Sequence, residues 1–212
     1  MRSCLLIILA ACAACAGPTA PVPVSVRMDG EIAEILRGPP GAETPLALFR
    51  GVRRWVAGDV TGDGQHELIL LWSLPDRPPR VWVVRPEASG VTPVWRGSGM
   101  AGIPLDIVLG PAGAQGAPLV VLEDWDDSFR LVLYRWDRFG FRGEAWGAVG
   151  PGALAPMGPD GIGFLPEGEA RPCPMEVIGR QLRLRCPRRR RKKSVRRAPH
   201  SSARTPPVTS MR

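Results

Sequence analysis

Oxygen-bearing side chains alternate along Asp59-Val60-Thr61-Gly62-Asp63-Gly64-Gln65-His66-Glu67, at positions 59, 61, 63, 65 and 67. Gly62 and Gly64 let the backbone turn sharply between them. Alternate spacing on a tight loop aims several oxygens at one point, which is what a hard cation requires. Asp59, Thr61, Asp63, Gln65 and Glu67 are therefore candidate ligands of one structural Ca²⁺, and a metal-free Gly/Asp turn is the alternative. The spacing excludes an EF-hand. Counted from Asp59, the bidentate Glu of that motif would fall at Leu70, and the segment after the loop is strand-like rather than helical.

Little else in the chain points to catalysis. The two histidines are His66, within the loop, and His200, near the C-terminus, so no nucleophile and base can be paired by spacing. No strand–Gly–helix phosphate loop is present. Glu123-Asp124-Trp125-Asp126-Asp127 is the densest acidic patch, and it is expected to be a solvated loop between strands. The tryptophans at 55, 72, 82, 95, 125, 136 and 146 are expected to fill space between sheets for the most part, with Trp125 the one most exposed.

The elements that must position the loop are short. Runs such as Val22–Val26, Ile32–Leu36, Leu46–Phe49, Glu67–Trp72, Arg80–Val84, Pro104–Leu109, Pro118–Leu122 and Phe129–Trp136 lie between Gly, Pro and Asp, the pattern of strands. Several are continuously apolar, which predicts strands covered on both faces. The fold class is all-β. The chain also repeats. Glu67-Leu68-Ile69-Leu70-Leu71 is matched 51 residues later by Pro118-Leu119-Val120-Val121-Leu122, and Arg80–Arg85 is matched 50 residues later by Arg130–Arg135. Gly90-Val91 falls on Gly140-Phe141, and Trp95 on Trp146. A period of about 50 residues carrying some four strands is that of propeller blades.

The loop resembles the calcium loop of the FG-GAP and VCBS repeats of integrin-like β-propellers and bacterial surface proteins, whose pattern is Asp-x-Asp/Asn-x-Asp-Gly-x-x-Asp/Glu before an apolar strand. Phe139-Gly140-Phe141 also looks like part of such a blade. The resemblance spans about residues 53–146. It implies a β-propeller-like array of about three to four four-stranded blades, closed or incomplete, in which one Ca²⁺ staples the loop. Two departures stand out. Thr61 replaces the usual Asp or Asn, and the second copy, Gly110-Pro111-Ala112-Gly113-Ala114-Gln115-Gly116, has no acid, so its turn must be held by glycine geometry.

The ends carry their own signals. Met1-Arg2-Ser3, the apolar Leu5–Leu9 and small residues after it read as an export signal, too short to span a bilayer. Leu9-Ala10-Ala11-Cys12 resembles a bacterial lipobox, making Cys12 the lipidation candidate, with Cys15 as the alternative and an ordinary secretory signal as the plainer reading. Cys173 and Cys186 flank an expected strand or hairpin, Met175–Arg185, and in an oxidising compartment form a reasonable disulfide; their spacing fits no zinc site. The formal net charge of +8 belongs to the segment 187–212, which holds ten Lys and Arg and no acid; without it 18 basic residues face 20 acidic ones, a net of −2. That segment has the composition of a disordered tail. Adhesion to anionic lipid or wall polymer suits it better than nucleic acid, and a frameshifted or read-through end is equally compatible.

The organisation expected is a signal and lipobox region at 1–15, a linker at 16–22, a repeat domain at 23–186 with its clearest repeats at 53–100 and 104–150, and the tail at 187–212. The function expected is that of an exported, lipid-anchored, propeller-like binding or structural module. Its partner is a protein or glycan at the cell envelope; nucleic acid is not expected. The alternatives are a carbohydrate-active or other hydrolytic enzyme on a propeller scaffold, and a truncated product without independent function.

Overall fold

Apolar runs bounded by turn residues form fifteen strands in the computed structural model, which describes residues 24–186 apart from 98–99, 127 and 158–160. The signal and lipobox with Cys12 and Cys15, the linker and the basic tail lie outside the described residues. Among the described residues the fold is all-β, without a helix. A three-stranded antiparallel sheet holds β1 (Val24–Asp29), β2 (Ile32–Arg37) and β3 (Thr44–Arg50). A four-stranded one holds β4 (Val52–Gly58), β5 (Glu67–Leu74), β6 (Arg77–Glu87) and β7 (Gly90–Trp95).

The remaining strands form one eight-stranded sheet. Its first half is β8 (Ile103–Leu109), β9 (Leu119–Trp125), β10 (Ser128–Asp137) and β11 (Gly140–Val149). The second is β12 (Gly152–Pro156), β13 (Ile162–Pro166), β14 (Cys173–Ile178) and β15 (Gln181–Leu184). Neighbours within each half are antiparallel, and the halves join through one parallel pair, Trp146↔Gln181. The sheet curls until its edge strands meet, where Leu154 N donates to Asp106 Oδ2 at 2.9 Å. The result is nearly closed and barrel-like.

Continuous apolar strands are indeed covered twice. Along β5, Leu68 and Leu70 pack with Val26, Ala33 and Ile35 of the three-stranded sheet. The alternate residues Ile69 and Leu71 pack the other way, with Ile107, Leu119, Val121 and Tyr134. β9 repeats the arrangement, since Val120 and Leu122 face Leu154, Phe164 and Leu182 inside the curled sheet. Period-two alternation thus sends one strand's side chains into two different cores. Full burial of each such Leu, Ile or Val contributes about 1.5–3 kcal/mol.

Irregularities repeat too. A bulge interrupts β2–β3 between Ile35 and Leu36, β6–β7 between Val83 and Val84, and β10–β11 between Leu133 and Tyr134. A second kind interrupts β4 between Val52 and Arg54 and β8 between Pro104 and Asp106. Bulges bend and twist a strand at a set point. The registers also correct one match. Val83 pairs with Trp95 and Leu133 with Ala145, so the counterpart of Trp95 is the buried Ala145 rather than Trp146. Trp146 consequently points outward and is 60% exposed.

Candidate functional site

The pair Gly58↔Glu67 fixes the ends of the 59–67 loop between β4 and β5. Within it Asp59 makes an Asx-type turn, Oδ1 accepting from Gly62 N at 2.6 Å and Oδ2 from Gly64 N at 2.8 Å. Both glycines hold left-handed φ values, +77° and +82°, that a side chain would strain. Asp63 Oδ1 accepts from Gln65 N at 2.9 Å. Glu67 is wholly buried; its Oε2 accepts from Val60 N at 3.1 Å and its Oε1 from Thr61 Oγ1 at 3.3 Å.

A cation already stands where these oxygens converge. Arg85 follows Val84, which pairs with Leu68, and so reaches the loop from β6. Its Nη2 donates to Asp63 Oδ2 at 2.7 Å, to Thr61 Oγ1 at 3.4 Å and to Glu67 Oε1, which also accepts from Nε at 3.1 Å. Desolvation works against the guanidinium's charge, but the bonds and attraction of Glu67 and Asp63 outweigh it and raise its pKa.

The structure therefore brings together Asp59, Thr61, Asp63 and Glu67; Gln65 contributes its backbone N–H, and the residue is exposed. Each carboxylate oxygen of Asp59, Asp63 and Glu67 is engaged by an N–H of the loop or by Arg85. Ca²⁺ takes roughly six to eight oxygen ligands. As arranged, this donor set holds the Arg85 guanidinium. The sequence marks Arg85 only as one half of the repeated pair Arg85 and Arg135, which does not show that it faces the loop.

The acid-free copy of the loop rests directly on the first. Ala117 N donates to Asp59 O at 2.6 Å. Gly113 and Gly116 bond each other's backbone at 3.2 and 3.1 Å, and Gly116 has a φ of +83°. A Cβ on Gly116 would stand 2.7 Å from Val60 O. With no acids to meet, Arg135 turns instead to Glu144, at 2.7 Å.

The expected acidic loop is a correction. Glu123, Asp124 and Trp125 belong to β9, and Glu123 is wholly buried. It is neutralised from the next strand, where Arg130 Nε and Nη2 donate to Oε2 at 3.0 and 2.9 Å and Tyr134 Oη donates to Oε1 at 2.5 Å. Trp125 is 39% exposed and carries the Arg130 guanidinium 3.7 Å from its ring centre, but Trp146 is more exposed. Cys173 and Cys186 are joined by a disulfide, their Cα atoms 4.4 Å apart. No family model matches the sequence, and no curated protein matches it.

Proposed function

We propose that the chain is an exported, lipid-anchored module of FG-GAP/VCBS type that binds a protein or glycan at the cell envelope. In this reading β4–β7, β8–β11 and β12–β15 are four-stranded blades and β1–β3 a three-stranded one. Bulges recurring at matching positions support that division, as do strands β5 and β9 that bury both faces between successive units. The observation that carries the role of the loop is that its carboxylate oxygens are all spent within the loop or on Arg85. It is then a staple, with Arg85 as its resident cation. Ca²⁺ could enter only if Arg85 swung away, and binding falls to other surfaces of the module.

The anchor is tested by expressing the full chain in a bacterial host and recovering it from membrane and soluble fractions. The expected result is a membrane-bound form whose N-terminal peptide is a diacylated Cys12 or Cys15, lost on substituting that cysteine by Ala. A protein found in the cytosol with Met1 intact would overturn the reading.

A further inference from the structure

An open cleft of about 900 Å³ lies where loops of three units converge, bordered by the 59–67 loop, its acid-free copy, the β10–β11 hairpin and the β14–β15 turn. Four arginines line it: Arg135, Arg138, Arg142 and Arg180. Arg135 is held by Glu144, and Arg142 stands 3.8 Å from Asp137. Arg138 and Arg180 are exposed and have no carboxylate partner among the described residues. Arg138 also holds a φ of +53°, a left-handed conformation that costs an L residue about 1 kcal/mol and that Gly or Asn would adopt more easily. The turn thus keeps an arginine at the cleft against its backbone preference.

The cleft continues into a smaller depression of about 200 Å³ that shares Glu144 and Arg180 with it. Trp146, 60% exposed, forms a wall there. Unpaired guanidiniums grip carboxylate or sulfate groups through paired N–H donors. An exposed indole offers a flat apolar face to a sugar ring. The interleaved carboxylates of Asp137 and Glu144, 56% and 45% exposed, can accept hydrogen bonds from hydroxyls. They would repel a ligand charged at every step, such as a phosphodiester chain. Sparse anionic groups among many hydroxyls match all three features.

We propose that this trough binds an acidic oligosaccharide, one bearing carboxylate or sulfate groups, with Arg138 and Arg180 holding the anions and Trp146 the neighbouring ring. The proposal rests on the binding-module reading, but its test uses purified protein and does not depend on location. Calorimetry at physiological salt would compare the full chain with Arg138→Ala/Arg180→Ala and Trp146→Ala, all retaining the basic segment 187–212. The probes are a hyaluronan tetrasaccharide, with a carboxylate on alternate sugars only, a κ-carrageenan tetrasaccharide, with a sulfate on alternate sugars and no carboxylate, neutral cellotetraose and an oligo-dT. We expect at least one acidic tetrasaccharide to bind, a loss of about tenfold or more in either variant, and still weaker binding of cellotetraose. Carboxylate and sulfate specificity separate in the first two probes. Arg138→Gly suits the φ at that turn and serves as a second variant whose folding is not in question. Failure of both acidic probes, equal binding by the variants, or tighter binding of oligo-dT would overturn the proposal.

Discussion

Arg54 of β4, opposite Leu71, and Asp106 of β8, opposite Leu122, each stand just past a bulge and pair with each other, Nε to Oδ1, at 3.0 Å. Asp106 is 8% exposed and its Oδ2 also accepts from Leu154 N of β12. One carboxylate therefore ties β4, β8 and β12.

Removing the cation from that tie should destabilise the protein. Losing one partner of a buried pair costs about 3–5 kcal/mol, but Arg54 is 38% exposed and water screens it, so Arg54→Met should cost about 1–2 kcal/mol in urea unfolding. The pH dependence is a separate signature. Burial raises the Asp106 pKa above 3.8, against the opposing pull of Arg54 and the Leu154 and Ile107 N–H groups. The folded state then holds this proton more tightly than the unfolded one. The group's stabilisation is full below the ordinary value and is lost as pH rises from there through the raised folded value. Parent stability minus that of Asp106→Asn should fall across that window; a flat difference would refute the assignment.

Arg85→Met should leave the wholly buried Glu67 without its cation and cost about 3 kcal/mol. It also frees oxygens of Asp63, Thr61 and Glu67 for a divalent ion. Millimolar Ca²⁺ should leave the parent's melting temperature unchanged and raise that of the variant by several degrees, on the order of 4 °C or more. A parent stabilised by Ca²⁺ to the same extent would show that Arg85 yields its place to metal.

Parts of this arrangement are legible in the sequence and parts are not. The apolar runs Leu68–Leu71 and Leu119–Leu122 disclose strands buried twice, because only such strands lack polar alternation. The Asp59–Glu67 loop is legible as a convergence of oxygens, but its cation is not, because which strand end faces the loop depends on the Leu68↔Val84 register. Glu123 reads as solvated since its neutralisers, Arg130 and Tyr134, come from the following strand. Trp146 is misplaced by one residue because the sequence match sets like against like, whereas Val83↔Trp95 and Leu133↔Ala145 put a small Ala, not a tryptophan, at the equivalent position. The Asp106–Leu154 closure joins strands 48 residues apart and has no local pattern at all.

The disulfide closes the end of the smallest half-sheet, whose cysteines are 13 residues apart. Freeing a loop of that size should cost about 2–3 kcal/mol through chain entropy. Hydrogen exchange of Cys173→Ser/Cys186→Ser should show β14 and β15 losing protection first while β5 and β9 keep theirs. Uniform loss throughout would mean that this end is not a separate unit of stability.

Tyr134 is the only tyrosine of the chain, so its ionisation can be followed in isolation. Burial, then the hydrogen bond to Glu123, push its pKa well above the ordinary 10, with Ala101 N and Arg130 opposing. Because the folded state keeps this proton longer than the unfolded one, the group's stabilisation is present below about pH 10 and is lost above it, as pH rises toward the folded value. Tyrosinate absorbance should therefore be absent near pH 10 and rise only together with loss of near-ultraviolet dichroism. Tyr134→Phe should cost about 1–2 kcal/mol at neutral pH, since it removes a donor to a buried carboxylate and the acceptor of Ala101 N. It should also lose less stability than the parent above pH 10. A reversible midpoint near 10 in folded protein would mean that the phenol is open to solvent and that Arg130 alone neutralises Glu123.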